Sequence, residues 1–320
     1  MRTQYILHIL FEVLMNEKRL LFVYNAHSGQ EKIKNKLVDI LDIFAKAGYE
    51  ITVRPTQGKE DATKYIKEHG LNFDRIVCCG GDGTLDEAVN ALLSLDGTIP
   101  LGIIPAGSTN DFGRTLSIPS NMIKAAEIAM TGKECLCDVG QFLDKTFIYI
   151  AAFGLLTEVS YETKQEIKNI FGHGAYVLEG MRYLGMKDIK PLEMTIATPD
   201  SIIKDRFIYG MITNAASVGG MKARNNEVIK LNDGKFEALF IKYPEDTLEL
   251  NATLAALLSQ EPDPEYMYYF QAESIQISAS EPVAWTLDGE AGGAHKEVEI
   301  RNLKQAVSLL VPPMAEKFFQ

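Results

Sequence analysis

The chain has 320 residues, of which 46% are hydrophobic and 23% are charged, and its formal net charge at pH 7 is −11. This length is sufficient for two domains with a sizeable core. The acidic balance argues against nucleic acid as the main partner and against polybasic attachment to anionic membrane, because both depend on clustered Lys and Arg. The four cysteines form no CxxC pair, which disfavours a zinc site and favours reduced thiols in a cytoplasmic protein.

The N-terminal segment is moderately apolar but is too short to span a membrane, and Glu12 interrupts its apolar run. No small-residue cleavage site follows it, which disfavours a signal peptide. We interpret residues 1–17 as an N-terminal extension, with Met15 as a natural start.

The first half of the chain alternates strands with helices. Strands are predicted at Leu20–Tyr24, Tyr49–Val53, Arg75–Cys79 and Pro100–Ile104. Helices are predicted between them, within residues 31–48, 60–70 and 85–95, with apolar residues at helical spacing clearest in the first of these. This alternation predicts a Rossmann-like parallel sheet with helices on both faces, and ligands beyond the carboxyl ends of the strands.

From about Asp138 the pattern changes to short alternating or apolar runs, many of them separated by turn signals, which indicates antiparallel sheet. Strands are predicted at "KTFIYIAAF", "LEMTIAT", "RFIYGMIT", "KFEALFIKY", "SIQISAS", "VAWTLDG", "KEVEIRNL" and "AVSLLV". Two helical insertions are predicted near residues 161–185 and 246–260. We therefore expect an α/β domain over residues 18–138, to which residues 303–320 return. A β-rich domain is expected over residues 139–302, with a cleft between the two.

A glycine-rich loop with a carboxylate inside it, "GGDGTLDE", follows the third predicted strand. Such loops usually bind phosphate, which Asp82 should repel. The loop is not a Walker A motif, because no lysine follows, and it is not a dinucleotide fingerprint, because Asp86 stands where glycine or alanine is needed. One interpretation is that Asp82 simply caps a helix that begins near Leu85.

The next strand ends in a similar cluster, "IPAGSTNDFGR", which carries Asp111. Neighbouring parallel strands bring their carboxyl ends to one edge, so each loop delivers a carboxylate to the same place. A Mg²⁺ ion held by Asp82 and Asp111 could bridge them to phosphate oxygens. A carboxylate in a phosphate-binding loop is then favourable, because the phosphate binds together with its metal ion.

Together with "NAHSG" at 25–29, "SYETK" at 160–164, "LNDGKFEALF" at 231–240 and "LDGE" at 287–290, these motifs resemble the diacylglycerol kinase catalytic-domain family. The soluble bacterial lipid kinases are the most similar members. The resemblance covers most of the chain from about residue 18. It implies an ATP-binding α/β domain, an antiparallel β-sandwich domain and phosphoryl transfer to a lipid hydroxyl in the cleft.

The resemblance also implies site residues. Its nucleotide contacts fall on Asn25, Ala26, His27, Ser28, Gly29, Thr56, Gly81, Asp82, Gly83, Thr84, Leu85, Asp86, Glu87 and Ser108. Asp82 and Asp111 match acidic residues near the catalytic Mg²⁺, and Glu290 matches the general base. A second, structural Mg²⁺ is implied at Lys230, Asp233 and Lys235, with the two lysines acting through backbone carbonyls. Lys168 matches a basic residue near the active site.

Four positions depart from the usual family pattern. Ala26-His27 stands for Pro-Thr, Gln30 for a basic residue, Ser108 for Thr and Asp86 for Asn. The extra charge of Asp86 could weaken ATP binding or recruit the metal.

The "LDGE" segment also carries a physical argument of its own, because phosphoryl transfer needs a group that accepts the hydroxyl proton. Gly289 lets the chain turn so that Glu290 projects; a solvated turn carboxylate is the alternative interpretation, and Asp288 is the competing base. The apolar residues of 167–186 are predicted to pack in the core, or alternatively to line an acyl-chain site.

The predicted function is Mg-dependent and ATP-dependent phosphorylation of diacylglycerol to phosphatidic acid. The alternatives are a kinase for ceramide, a sphingoid base or a prenol, a kinase for a soluble substrate, and a non-catalytic nucleotide-binding module. The expected partner is a lipid alcohol presented by the inner face of the membrane, which the enzyme visits as a peripheral protein. The sequence leaves open whether the protein forms a homodimer.

Overall fold

A computed structural model describes residues 18–154, 190–215, 229–259 and 263–319. The chain divides into two compact units. The first contains residues up to Leu136 together with Val307–Glu316, and the second contains Cys137–Ala306 with the residues from Lys317 onward. The predicted extension at 1–17, the helical insertion near 161–185, the apolar segment 167–186, "SYETK" and Lys168 lie outside the described residues.

The sheet of the first unit is parallel throughout. Its strands are β1 (Lys18–Tyr24), β2 (Tyr49–Pro55), β3 (Arg75–Gly80), β4 (Leu101–Pro105) and the last residues of β13 (Glu290–Val311), in the order β13-β4-β3-β1-β2. β3 and β4 are buried along almost their whole length. Such continuous burial is typical of parallel strands that helices cover on both faces.

The helices of the first unit are α1 (Leu37–Lys46), α2 (Asp61–His69), α3 (Asp82–Leu93), α4 (Asp111–Thr115) and α5 (Met122–Thr131). Helix α1 packs against α5, and α2 packs against α3. Short 3₁₀ helices lie at Ser28–Asn35, Gly70–Asn72 and Pro313–Phe318.

Two helix boundaries differ from the prediction. The helix predicted over residues 31–48 is a 3₁₀ helix followed by α1, because the backbone leaves helical geometry at Lys36, where φ is −118°. Helix α3 begins at Asp82 rather than near Leu85, and Gly81 is its N-cap in an extended conformation. The interpretation of Asp82 as a helix cap is therefore wrong: Asp82 is the first helical residue.

The second unit is built from antiparallel strands. They are β5 (Lys133–Phe142), β6 (Lys145–Phe147), β7 (Ile150–Gly154), β8 (Leu192–Ala197), β9 (Ile202–Thr213), β10 (Phe236–Lys242), β11 (Met267–Ala272), β12 (Ser274–Leu287) and most of β13. The order β11-β10-β9-β7-β12-β13 joins six of these strands; β8 pairs both β9 and β12, and β5 pairs β13 and β6. Helix α6 (Thr247–Ser259) matches the insertion predicted near 246–260.

Aromatic residues dominate the core of the second unit. Phe153 packs edge-on against Trp285 with ring centroids 4.8 Å apart, and Phe142 contacts the same indole at 5.0 Å. These rings and the aliphatic residues around them are buried between the strands. The parallel α/β unit and the antiparallel β unit confirm the predicted fold class.

Several elements were not expected from the sequence. Helix α5 and strands β5 and β11 are absent from the prediction, and β12 and β13 each join segments that are predicted as separate strands. Residues from Lys317 group with the second unit, where the Phe318 carbonyl accepts a hydrogen bond from the Leu231 N–H at 2.8 Å. No helix among the described residues is long and apolar enough to cross a membrane.

Candidate active site

The loops that follow β1, β2, β3 and β4 are joined by backbone hydrogen bonds at one edge of the first unit's sheet. The Asn25 N–H donates to the Cys79 carbonyl at 2.9 Å, and the Thr56 N–H donates to the Tyr24 carbonyl at 2.9 Å. The Ala106 N–H donates to the Gly80 carbonyl at 2.8 Å. The structure therefore brings the predicted nucleotide residues of four loops to the edge where parallel sheets bind ligands.

The two glycine loops touch through their backbones. A Cβ atom built on Gly107 would lie 2.5 Å from the Cα of Gly81, and one built on Gly81 would lie 3.3 Å from the Cα of Gly107. A side chain at Gly107 would separate the loops, whereas one at Gly81 would crowd Gly107 by a few tenths of an ångström. The close approach therefore requires glycine at 107 and favours it at 81.

Asn110 holds the second glycine loop in shape. Its amide oxygen accepts a hydrogen bond from the Gly107 N–H, and its amide nitrogen donates to the Gly107 carbonyl, both at 2.8 Å. The backbone of Asn110 is left-handed, with φ of 52°, a conformation that Asn tolerates better than most residues. The side chain thus satisfies both backbone polar groups of Gly107, just before the loop enters helix α4.

Asp82 points toward this second loop. Its Oδ2 accepts a hydrogen bond from the Thr109 hydroxyl at 2.9 Å, and the backbone N–H groups of Asn110 and Phe112 also contribute hydrogen bonds to the carboxylate. Burial nevertheless raises the pKa of Asp82, against these bonds, and the charge of Asp111 adds to the rise. Asp82 and Asp111 are therefore close enough to repel, and each is the first residue of a helix.

This pair of carboxylates suits a hard cation that is shared with phosphate. Hard oxygen ligands are what Mg²⁺ prefers, and a cation would relieve the mutual repulsion. In the part of the chain that the structure describes, no group of three or more His, Cys, Asp and Glu side chains could hold a metal. Asp82 and Asp111 would hold such a cation, which would supply positive charge at this edge of the sheet.

The first loop is shaped by Asn25. Its side-chain oxygen accepts a hydrogen bond from the His27 N–H at 2.9 Å, and its backbone carbonyl accepts one from the Ser28 N–H at 3.2 Å. His27 is exposed, and Gly29 lies in the 3₁₀ helix that starts at Ser28.

Other predicted nucleotide residues differ in what they can offer. The Leu85 side chain is buried at 4% exposure, so only its backbone can approach a ligand. Thr84 packs against Gly80, whereas Ser108 is exposed. The carboxylate of Glu87 accepts hydrogen bonds from the N-terminus of helix α2.

The "LDGE" segment forms a tight hairpin in the second unit. Leu287 pairs with Glu290, and the two residues between them have positive φ, 50° at Asp288 and 88° at Gly289. Asp-Gly is the preferred pair for such a type I′ turn. The predicted turn at Gly289 is confirmed, and Glu290 begins β13 as an exposed residue.

Asp288 has a different task from Glu290. Its carboxylate accepts hydrogen bonds from the backbone N–H groups of Ile148 at 2.5 Å, Tyr149 at 3.1 Å and Ile150 at 2.9 Å. These hydrogen bonds connect the hairpin to the start of β7 and to the segment that joins β6 and β7. A carboxylate that accepts three backbone hydrogen bonds is a poor general base.

The loop that the resemblance assigns to a structural metal lies elsewhere in the second unit. The Asp233 Oδ1 accepts a hydrogen bond from the Lys235 N–H at 2.9 Å, and Asp138 accepts one from the Gly234 N–H at 2.7 Å. Lys230 donates through its ammonium group to the Lys317 carbonyl at 3.0 Å. None of these three contacts involves the backbone carbonyls of Lys230 and Lys235, which the resemblance assigns to the metal.

The surroundings of this loop are acidic. Burial raises the pKa of Glu237 to about 8, and the charges of Asp233 and Asp138 add to the rise. The buried Oε2 of Glu237 makes no hydrogen bond among the described residues. The oxygen donors and the negative charge of Asp233 and Asp138 fit a hard cation here, and its charge would favour the ionised form of Glu237.

Sequence reasoning did not select Thr109 and Asn110. Both stand in the quoted "IPAGSTNDFGR" motif, and an Asn that follows a Gly-Ser-Thr cluster is a signal for a left-handed turn residue. Asp82, the partner of Thr109, becomes its neighbour only when β3 and β4 pair. Gly107, the partner of Asn110, lies three residues earlier in the same loop.

Glycine loops and paired carboxylates at the carboxyl edge of a parallel sheet define a nucleotide-binding protein of the phosphotransferase class. The family model for the diacylglycerol kinase catalytic domain matches residues 19–142. A Bacillus subtilis protein named diacylglycerol kinase is 35% identical over 297 residues, which are 92% of this chain and 97% of that protein. A Staphylococcus saprophyticus protein of the same name is 32% identical over 298 residues, covering 92% and 96%.

Solved structures agree with these relatives. One from Bacillus anthracis strain Sterne is 28% identical, has a TM-score of 0.78 and covers 93% of this chain and 96% of its own. A crystal structure of a diacylglycerol kinase from the same strain, 24% identical with a TM-score of 0.72, shares the fold over 93% and 98% of the two chains. The chain belongs to the diacylglycerol kinase family. It is therefore a kinase that uses ATP and phosphorylates an alcohol.

Proposed function

We propose that the chain transfers the γ-phosphoryl group of ATP to the hydroxyl of diacylglycerol and forms phosphatidic acid. The observation that carries this proposal is the pair of glycine loops that touch at Gly81 and Gly107 and lead into Asp82 and Asp111. Relatives named diacylglycerol kinases support diacylglycerol as the acceptor.

The nucleotide is proposed to lie along the edge formed by the four loops. Backbone N–H groups of the glycine loops face its phosphates, and the N-terminus of helix α3 adds partial positive charge. Asn25–Gly29 and Thr56 contact it from the β1 and β2 loops, and Ser108 contacts it from the β4 loop. Asp86 lies one helical turn after Asp82, so its charge acts on the same phosphate region.

Asp82 and Asp111 are proposed to hold Mg²⁺. When bound, the ion neutralises charge on the phosphates and orients the transferring group. The hydroxyl of Thr109 and the N–H groups of Asn110 and Phe112 keep the Asp82 carboxylate aimed at this position. A second Mg²⁺ at Lys230, Asp233 and Lys235 would stabilise the loop of the second unit.

Glu290 is proposed to be the general base. Its carboxylate takes the proton from the acceptor hydroxyl as that oxygen bonds to the γ-phosphorus, and the bond from the γ-phosphorus to the bridging oxygen breaks to release ADP. The exposure of Glu290 supports this role, as does the engagement of Asp288 by three backbone donors.

Replacement of Glu290 tests the chemistry separately from binding. Glu290→Gln keeps the shape but cannot take a proton at neutral pH, so kcat should fall by about 10²–10⁴-fold. Affinity for Mg-ATP, measured by thermal shift, should stay within about threefold, which is less than 1 kcal/mol. Glu297→Gln, an exposed glutamate on the same strand, is the matched control and should leave both values unchanged. A normal rate for Glu290→Gln would refute the assignment of the base.

A substrate panel tests the acceptor. Radiolabelled ATP is offered with diacylglycerol, ceramide, a sphingoid base and a prenol in mixed micelles, with glycerol as a soluble alcohol, and diacylglycerol should be preferred. EDTA should abolish the reaction and Mg²⁺ should restore it. A preference for another lipid or for glycerol would show that diacylglycerol is not the acceptor. Turnover after chelation would show that the reaction does not need a divalent metal.

The lipid must be met at a membrane surface, so we propose peripheral association with the inner face of the membrane. Flotation with vesicles that contain diacylglycerol tests this association. Analytical ultracentrifugation of the same preparation tests whether the enzyme is a homodimer.

A further inference from the structure

The N-terminus of helix α2 is capped from outside by Glu87 of helix α3. The backbone N–H of Glu60 donates to the Glu87 Oε1 at 2.8 Å, and the N–H of Ala62 donates to the Oε2 at 3.1 Å. The Thr63 hydroxyl donates to the backbone carbonyl of Glu87 at 2.9 Å. Glu60, the N-cap residue, makes no cap bond with its own side chain and has a left-handed backbone with φ of 66°.

Helix α2 is also tied to the loop that precedes it. The Asp61 Oδ2 accepts a hydrogen bond from the Gln57 N–H at 2.8 Å, and the Asp61 Oδ1 accepts one from Arg54 at 2.9 Å. These two contacts lower the pKa of Asp61, so the carboxylate is charged at neutral pH. Thr56 lies between Arg54 and Gln57, and its N–H is bonded to the end of β1.

Glu87 therefore connects two parts of the proposed nucleotide site. It lies five residues after Asp82 on the helix that opens with the first glycine loop, and its carboxylate fixes the far end of the Thr56 loop. We infer that Glu87 is a positioning residue, which sets the Thr56 loop for the nucleotide and does not itself contact the nucleotide. This inference rests on the proposed function, because it takes Thr56 to be a nucleotide contact.

The geometry gives a physical reason. Both oxygens of the Glu87 carboxylate accept hydrogen bonds from the first turn of α2, where backbone N–H groups lack helical partners and the helix dipole favours negative charge. Rotation toward a nucleotide would leave those donors unsatisfied and would place a negative charge against phosphate. The contact to α2 is thus favoured over a contact to the ligand.

A double-mutant cycle tests the inference through the dissociation constant of a non-hydrolysable ATP analogue, measured by calorimetry with Mg²⁺. Thr56→Ala and Glu87→Gln should each weaken binding, by about tenfold for a loss near 1.4 kcal/mol, and the double variant should be no weaker than the worse single variant. Glu68→Gln, an exposed glutamate on α2, is the control and should bind normally. In turnover assays Glu87→Gln should raise the KM for ATP and leave kcat within about twofold.

Multiplied effects in the double variant would mean that Glu87 contacts the nucleotide itself, and would overturn the inference. If the wild type binds no analogue at all, the proposed function fails. Hydrogen exchange of the nucleotide-free protein then tests, without any nucleotide, whether Glu87 holds the N-terminus of α2 and the loop before it. Faster exchange at residues 56–62 in Glu87→Gln would support the capping contact, and unchanged exchange would overturn it.

Discussion

The contact between the two glycine loops predicts a graded response to alanine. A methyl group on Gly107 would lie 2.5 Å from the Gly81 Cα and 2.9 Å from the Asn110 Oδ1. Ordinary carbon contacts are about 3.5–4.0 Å long, so the loops must separate by about 1 Å or more. The obstructing groups are the Gly81 backbone and the Asn110 side-chain amide, which two hydrogen bonds hold in place. Neither group can rotate away as the end of a flexible side chain would.

Gly107→Ala should therefore destabilise the first unit by about 1–3 kcal/mol, as overpacking does elsewhere. Each kcal/mol corresponds to a fall in Tm of about 2–4 °C at this size. Gly81→Ala, with a contact of 3.3 Å, should cost less, and Gly58→Ala, with nothing within 4 Å, is the matched control. Differential scanning calorimetry gives the ranking, and the analogue affinity should fall in the same order. Equal Tm values for Gly107→Ala and Gly58→Ala would refute the close approach.

Three further predictions concern polar groups. Because the pKa of Asp82 is raised in the folded protein, its ionisation opposes folding at neutral pH. Without ligand, the Tm of the wild type relative to that of Asp82→Asn should therefore rise as pH falls through the Asp82 pKa, and a difference in Tm that does not change with pH would contradict this reasoning. Asp288→Asn places an amide donor against the Ile148, Tyr149 or Ile150 N–H groups and should lose about 1–3 kcal/mol in chemical denaturation, whereas equal stability to wild type would show that the carboxylate is dispensable. Asn110→Ala removes both bonds to Gly107 and should weaken analogue binding by about tenfold or more; unchanged affinity would separate the loop shape from the site.

Local patterns were sufficient to predict the parallel unit. The sequences of β1 to β4 each contain a short run that ends in a turn-like cluster. The structure extends the first three predicted strands by one or two residues and shifts the fourth by one residue. Helix α5 could also have been found, because Asn121 caps it by accepting from the Ile123 and Lys124 N–H groups. Its cap and apolar spacing are ordinary sequence signals.

The antiparallel unit was harder, because turn signals occur inside its long strands. β12 continues through Glu281-Pro282, where the pairing with β13 shifts register between Ser278 and Val283. Proline is tolerated at such an irregularity, since no ladder hydrogen bond is required of it. β13 similarly continues through Gln305, whose φ is 53°. A sequence shows the interruption but not the partner strand that bridges it.

The residues of the site also fall into those that a local motif predicts and those that depend on tertiary contacts. The glycines and Asp82 occur together in one motif, so the sequence could predict them. Asn110 acts within its own loop, three residues from its partner Gly107. The roles of Thr109 and Glu87 arise from contacts between segments that follow different strands, with Glu87 and Glu60 27 residues apart. These contacts depend on strand order, which a local pattern does not contain.

Asp82 and Asp288 show how a structure can separate carboxylates that look alike in sequence. Both stand beside a glycine, and both accept hydrogen bonds from backbone N–H groups. Around Asp288 the donors come from three successive residues of the same unit, and the carboxylate completes a hairpin. Around Asp82 a hydroxyl and two N–H groups do not offset burial and the nearby charge of Asp111, so the pKa stays raised. A cation bound beside Asp82 would stabilise the ionised form of this carboxylate. By thermodynamic linkage, the ionised carboxylate must then increase the affinity for that cation.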